Sequence, residues 1–231
     1  MALAGRALLA LWNDIAAEHE QEYDRWHTLE HVPERVAVPG MHGARRYVAP
    51  TRRLHRYFTL YEAAGLEVFE CTDYRDLVDH PTPWSARMRP HFRNAVRMPA
   101  QVADSRGIGL GSHLVVLGHT GAAASELIEA ALRLDGVVGC HCATGHPAPL
   151  AFAGLAPDVT PVRAFDQLTL LETTAAASAD AARALLGPRL GLRVGDFACA
   201  TYALAFAYPG HDAGDVTRHR RPGWSAPGPA A

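Results

Sequence analysis

Along the chain, short apolar runs alternate with stretches whose apolar residues recur every three or four positions, and the order of the two patterns repeats. Ala7 to Ile15 is almost wholly apolar and ends near the turn-prone pair Asn13-Asp14, as a buried strand does. Glu18 to Val38 lacks glycine until Gly40 and is rich in Glu, Gln and Arg, which predicts a helix bent or broken near Pro33 and closed by the Pro39-Gly40 turn. Gly43 to Pro50 and His55 to Ala63 alternate apolar with polar residues around Thr51-Arg52-Arg53, the pattern of a hairpin. Glu67 to Asp79, with Phe69, Tyr74, Leu77 and Val78, reads as a second helix. The prolines of PTPWSARMRPHF make a turn and a short helix starting between Thr82 and Ser85, and Ala95 to Ala103 completes a β-α-β-β-α-β order.

The second half repeats that order in other residues. Leu114 to Leu117 is a strand and Ser125 to Leu134 a helix with Ser125 as its N-cap. Val137 to Ala143 and Phe165 to Glu172 are strands flanking a Pro- and Gly-rich loop, Gly145 to Pro161. Ser178 to Leu186 is an Ala-rich helix, and Phe197 to Tyr208 the closing strand. Gly107, Gly109 and Gly111 mark the seam. The expected fold class is α+β: tandem ferredoxin-like repeats over residues 1–106 and 112–209, with 210–231 a flexible tail. Their sheets, packed face to face, would form an α+β barrel whose interior holds a small molecule.

Composition narrows the partners. The formal net charge is −2 with 22 basic residues, all Arg by inspection of the sequence, against 24 acidic ones. That balance argues against nucleic acid, and the lack of Lys excludes Schiff-base and P-loop lysine chemistry. Cys71, Cys140, Cys142 and Cys199 form no CxxC pair, which fits a reducing cytoplasm. MALAGRALLALW reads as a strand rather than a leader, and no apolar run is long enough to span a bilayer.

The chemistry concentrates between Tyr23 and Arg35. On a helix, Tyr23, His27, Glu30, His31 and Glu34 fall at intervals of three and four and share one face, with Trp26 alongside. Either that face meets solvent as a charged surface, or part of it enters a cavity and does chemistry. His27 or His31 would then exchange a proton, oriented by Glu30 or Glu34. HTLEH also matches an inverted zinc motif, HxxEH, so a metal-dependent hydrolase or lyase using His27, Glu30 and His31 is a second reading. Arg45 and Arg46 point to opposite faces of their strand; one would enter the barrel, to hold a substrate oxyanion or to pair with Glu30 or Glu34. Tyr23, Trp26, Tyr47, Tyr57, Tyr61 and Trp84 are candidate substrate-binding walls, although core packing explains such aromatics as well. Cys140-His141-Cys142 reads as two core thiols on one face and a histidine on the other.

EYDRWHTLEHVPERVAVPGMHGARRYVA, YFTLYE and the segment ending in HPTPWSARM resemble the dimeric α+β-barrel superfamily, and within it the EthD-like group. The resemblance covers roughly residues 7–104 and is most specific in WHxxEHxPER. It implies a ferredoxin-like fold, a homodimer, a pocket between sheet and helices, and chemistry on small organic molecules by isomerases, cyclases, lyases, cofactor-free monooxygenases or haem enzymes. The second half has no Trp-His-Glu-His equivalent and reads as a degenerate copy that completes the barrel. The leading expectation is an enzyme without a cofactor, an isomerase, cyclase or lyase acting by His/Glu acid-base catalysis on an aromatic, polyketide-like or lactone substrate. A non-catalytic ligand-binding barrel is the further alternative.

Overall fold

The structure, a computed structural model, describes residues 3–146, 160–161, 165–193 and 198–210. The first half runs β1 (Ala7–Ile15), α1 (Glu20–Trp26), a π-helical turn (His27–His31), α2 (Val32–Val36), β2 (Met41–Val48), β3 (Tyr57–Ala63), α3 (Thr72–Asp79), α4 (Pro83–Met88) and β4 (Phe92–Gly107). The second runs β5 (His113–His119), α5 (Ser125–Leu132), β6 (Val137–Gly145), the short β7 (Thr160–Pro161), β8 (Gln167–Thr173), α6 (Ala176–Arg189) and β9 (Cys199–Pro209). Both halves use a glycine at positive φ for the turn into the second strand, Gly40 (φ 89°) before β2 and Gly136 (φ 79°) before β6, where a side chain would be strained.

Eight strands close into an antiparallel barrel in the order β1-β3-β2-β9-β5-β8-β6-β4 and back to β1, with β7 lying parallel to β4. The first half contributes β4-β1-β3-β2 and the second β9-β5-β8-β6. The two sheets meet edge to edge, not face to face as expected from the sequence. Each half's last strand makes the join: β4 pairs with β1 through its first part and β6 through its end, and β9 with β5 and then β2. This double pairing is why β4 is longer than the predicted Ala95 to Ala103. One chain closes the barrel, leaving no sheet edge of the ring open.

Alternation along the strands sorts the side chains. Leu8, Ala10 and Trp12 of β1 point inward with Phe58, Leu60, Leu114, Val116, Leu170 and Tyr202 into a single packed cluster. The barrel interior is therefore core rather than a ligand chamber. An eight-stranded barrel is just wide enough for its own side chains to fill it, which explains the correction. Outward residues are covered by helices, α1 to α4 over the first half and α5 and α6 over the second.

Two local expectations shift. Ser125 is the first residue of α5 and not its cap; Ala124 holds that position with no side-chain bond. The helix expected over Glu67 to Asp79 is split, its start being a tighter 3₁₀ segment (Leu66–Glu70) before α3. The loop between Gly145 and Pro161 and the tail after Gly210 fall largely outside the described residues. Among those described, no helix is long and apolar enough to cross a membrane.

Candidate active site

The stretch from Glu20 to Val36 is helical throughout, and its centre is wound more loosely. Pro33 has no N–H to give to the carbonyl four residues back. Just before it the Val32 N–H donates to the His27 carbonyl, five residues away. Such a π-turn adds a residue to one coil and shifts everything after it relative to the sheet. Tyr23, Trp26 and His27 are fully buried against the sheet, followed by Val32, Arg35 and Val36, while Asp24, Arg25 and Leu29 face out. The mixed aromatic and histidine face thus looks inward, at the outer surface of the barrel.

Between this helix, α3 and the outer faces of β1, β3 and β4 lies a cavity of about 570 Å³, its open mouth included. Its polar lining is His31, Arg35, Tyr61, Tyr74, Arg89 and Arg97. Leu9, Leu11, Trp26, Val78, Phe92 and Ala95 make the apolar walls. His31 stacks against Trp26 with ring centroids 4.4 Å apart and lies 5.1 Å from the His27 ring. Its Nδ1 is buried with no hydrogen-bond partner, and so are both nitrogens of His27. The cavity separates the two histidines that spacing alone left equivalent: His31 lines it, and His27 sits in the packing behind.

Burial pushes both histidines well below the ordinary range, helped for His31 by the positive charge of Arg35 and for His27 by that of Arg46. Each is neutral at physiological pH and can accept a proton or donate its one N–H. Burial also raises the Tyr61 hydroxyl, so it stays protonated. Arg97 is lowered to about 10 by burial, with Tyr74 opposing and Arg35 adding to the shift, and keeps its charge at neutral pH.

The other candidates occupy different places. Glu30 orients neither histidine: its Oε1 accepts from Trp26 Nε1 (3.2 Å), Ser85 Oγ (3.1 Å) and Thr82 Oγ1 (2.5 Å), tying the helix to α4. Glu34 is partly buried and acts electrostatically on Arg89. Arg45 does enter the barrel, but it pairs with Glu62 (2.8 Å) and Glu172 and donates to the Tyr47 hydroxyl (3.2 Å), reaching neither Glu30 nor Glu34. Arg46 faces the helix, where it bonds Asp24 (3.3 Å) and Thr28 (3.2 Å) over the Tyr23 ring. Of the aromatic candidates, Trp26 and Tyr61 line the cavity. Tyr23 donates to Asn13 (3.3 Å), and Tyr57 packs on Tyr23 at 4.8 Å. Trp84 donates to Glu22 (3.0 Å), and Tyr47 belongs to the barrel interior. Among the described residues no group of three or more His, Cys, Asp and Glu side chains is placed to hold a metal ion, Glu30 of the HTLEH motif being engaged with α4. Cys140 packs outward with Cys142 under α5, and His141 turns inward to Ser105 (2.9 Å), as the alternation predicted.

Arg35, Tyr74, Arg89 and Arg97 were not among the sequence-derived candidates. The usable signal was Arg97, a lone charge inside the strand run AVRMPA on the register that faces away from Met98 and Ala100. Arg89 carried no such mark. Its guanidinium caps the end of α3, donating to the carbonyls of Val78 (2.6 Å) and Leu77 (3.0 Å), a long-range contact that no local pattern reveals.

No protein-family model and no curated protein matches the chain in sequence. Solved structures do match in shape. An anthrone oxidase-like protein superposes with a TM-score of 0.60 at 11% identity, covering 92% of this chain and 97% of the other. Chlorite dismutase from Candidatus Nitrospira defluvii, in complex with imidazole, gives 0.53 at 9% identity over 88% and 92%. A candidate monooxygenase from Lactobacillus acidophilus NCFM gives 0.50 at 8% over 89% and 97%. What they share with the chain is the fold.

Proposed function

We propose that the protein is a small-molecule enzyme that works in the first-half cavity without a redox cofactor. There His31 accepts a proton from an enolisable or phenolic aromatic substrate. The observation that carries this reading is the placement of His31: it lines an apolar-walled cavity, its Nδ1 lacks a partner, and arginines stand around it. A substrate that loses a proton there becomes a delocalised anion, and the neighbouring guanidinium groups stabilise it as it forms. The same anion raises the proton affinity of His31, so that transfer and charge development reinforce one another. Isomerisation, cyclisation and lyase-type cleavage all proceed from such an anion. The EthD-like resemblance of WHxxEHxPER and a tandem ferredoxin-like build, with matching strand orders in the two halves, belong to the same proposal.

The test uses an enolisable aromatic ketone of the size of anthrone or 2-tetralone in deuterium oxide. Exchange of its acidic C–H followed by NMR should run faster than in buffer with the native chain and fall to the buffer rate with His31→Ala. Exchange at the native rate in His31→Ala, with the fold intact by circular dichroism, would remove His31 from the reaction. Saturable binding without any exchange would favour a ligand-binding barrel.

A further inference from the structure

The cavity's polar lining is unusual in its sign. Three guanidinium groups, Arg35, Arg89 and Arg97, converge on it, each less than a tenth exposed, and none of the described lining residues is Asp or Glu. Buried arginines are normally matched by a carboxylate, because an uncompensated charge out of water is costly. This chain follows that rule elsewhere: Arg45, equally buried, sits between Glu62 and Glu172. In the cavity the compensation is partial. Arg89 spends its two terminal nitrogens on the α3 carbonyls, and Arg97 reaches the Tyr74 hydroxyl at 3.4 Å. Arg35 lies over the Tyr74 ring at 5.4 Å, and its Nη1 is buried with no partner. The Tyr61 hydroxyl, on the same wall, is likewise buried without one. Glu34 and Asp79 offset Arg89 electrostatically without lining the cavity.

We propose that the cavity binds a planar aromatic carboxylate, whose carboxyl oxygens accept from Arg35 Nη1 and the Tyr61 hydroxyl within the field of Arg89 and Arg97, while its ring lies along Trp26, Leu9 and Phe92. The inference rests on the reading of this cavity as the substrate site and adds that the substrate arrives already charged. Two donors that lack partners are satisfied at once, and the ligand supplies the negative charge missing from the wall. Arg35 is an anchor here; the proton is exchanged at His31.

The experiment is calorimetry and thermal denaturation of the full chain with benzoate and 2-naphthoate, against benzamide and 2-naphthamide as neutral isosteres. At least one carboxylate should bind saturably and raise the melting temperature, with a Kd about tenfold or more below that of its amide. Arg35→Gln and Tyr61→Phe should each weaken the carboxylate by about tenfold and leave the amide unchanged. Ligand-free Arg35→Gln should melt at or above the native temperature, because it loses an uncompensated charge; a purely structural arginine would lower it. His31→Ala should still bind, so loss of exchange with retained binding separates failure of the catalytic reading from failure of this one. Equal affinity for acid and amide, no saturable carboxylate binding, or native affinity in both Arg35→Gln and Tyr61→Phe overturns the proposal.

Discussion

The two halves of the barrel share a strand order and differ in what their outer faces carry. Register makes the comparison residue by residue. In the first half Leu9 pairs with Tyr61 and Leu11 with Arg97; in the second Val115 pairs with Leu171 and Leu117 with Cys199. Taking β1 and β5 as equivalent, Tyr61 and Arg97 stand where the second half has Leu171 and Cys199. The covering helices follow suit. Alanines 179 and 182 with Leu186 let α6 settle closely on its sheet, whereas Tyr23, Trp26, His27 and Arg35 are large, and the π-turn redirects the chain between them. Small side chains permit close approach and leave no gap; large polar ones hold a helix off and leave a lined space. Among the described residues, a shared architecture thus supports an apolar helix-covered face and a cavity-bearing one, with the difference residing in side chains.

The comparison is tested most severely by activity. His31→Ala should lower turnover by about 10²- to 10⁴-fold, the usual contribution of a positioned acid-base group. The control is in the other half: His119, held by Thr169 (2.9 Å) and the Gly121 carbonyl (2.9 Å), should be replaceable by Ala without loss of turnover. Steady-state rates on one substrate with both variants decide whether the asymmetry is functional.

The halves also depend on each other through the barrel interior, where Arg45 of β2 meets Glu172 of β8, itself bonded by the Gly111 N–H at 3.0 Å. Arg45→Met leaves that carboxylate buried without its cation and should cost about 3–5 kcal/mol in urea unfolding. Burial raises the Glu172 pKa above the unfolded value, a shift opposed by Arg45, so the native state holds its proton more tightly. The deficit of Arg45→Met should therefore be smallest in acid and grow as pH rises through the carboxylate range. Adding Glu172→Gln should recover much of the loss.

Much of this fold was legible in the sequence because hydrophobic alternation marks strands locally. Ala7 to Ile15 matched β1 to the residue, and Pro33 located the disturbance in the helix. Its inward direction was not legible: Tyr, His and Glu suit solvent and cavity alike, and only the neighbouring sheet decides between them. Arg45 and Arg46 illustrate the limit from the other side. Alternation correctly put them on opposite faces, but their partners Glu172, Asp24 and Thr28 are set by tertiary structure. The cavity's own arginines come from α2, the segment after α4 and β4, and their convergence has no local signature.

Packing gives a sharper contrast. Ala182 of α6 is fully buried, and Ala182→Leu should strain its packing at a cost of about 1–3 kcal/mol. Ala95→Leu adds the same bulk beside the cavity and should cost less, since the side chain has space to enter, while reducing ligand affinity. Equal destabilisation in the two variants, measured by urea unfolding, would contradict the difference in packing.

Acid should find the first half through its histidines. His27 and His31 are lowered by burial, so the unfolded chain, with a histidine pKa of about 6.5, takes up protons that the native state refuses. Their contribution is complete above that value and is lost as pH falls below it, at up to about 1.4 kcal/mol per pH unit for each group. His27→Gln should flatten the slope of unfolding free energy between about pH 6.5 and 5 by one such share. His55, His91, His119 and His141, lowered as well, remain as common background.

The smallest effect concerns how the cavity-bearing helix is held. Thr82 caps α4 by accepting from the Ser85 N–H at 3.1 Å, and its hydroxyl hydrogen goes to Glu30. Thr82→Ala removes both bonds and should cost about 1 kcal/mol, the typical value of a helix cap. Thr82→Ser keeps both and should restore the stability. Because Glu30 also accepts from Trp26 and Ser85, the helix keeps its place in the alanine variant, and the cavity wall formed by Trp26 should survive. A loss of stability with unchanged ligand affinity would make this contact a support for the first-half face. A parallel loss of affinity would make the α4 staple part of what shapes the cavity.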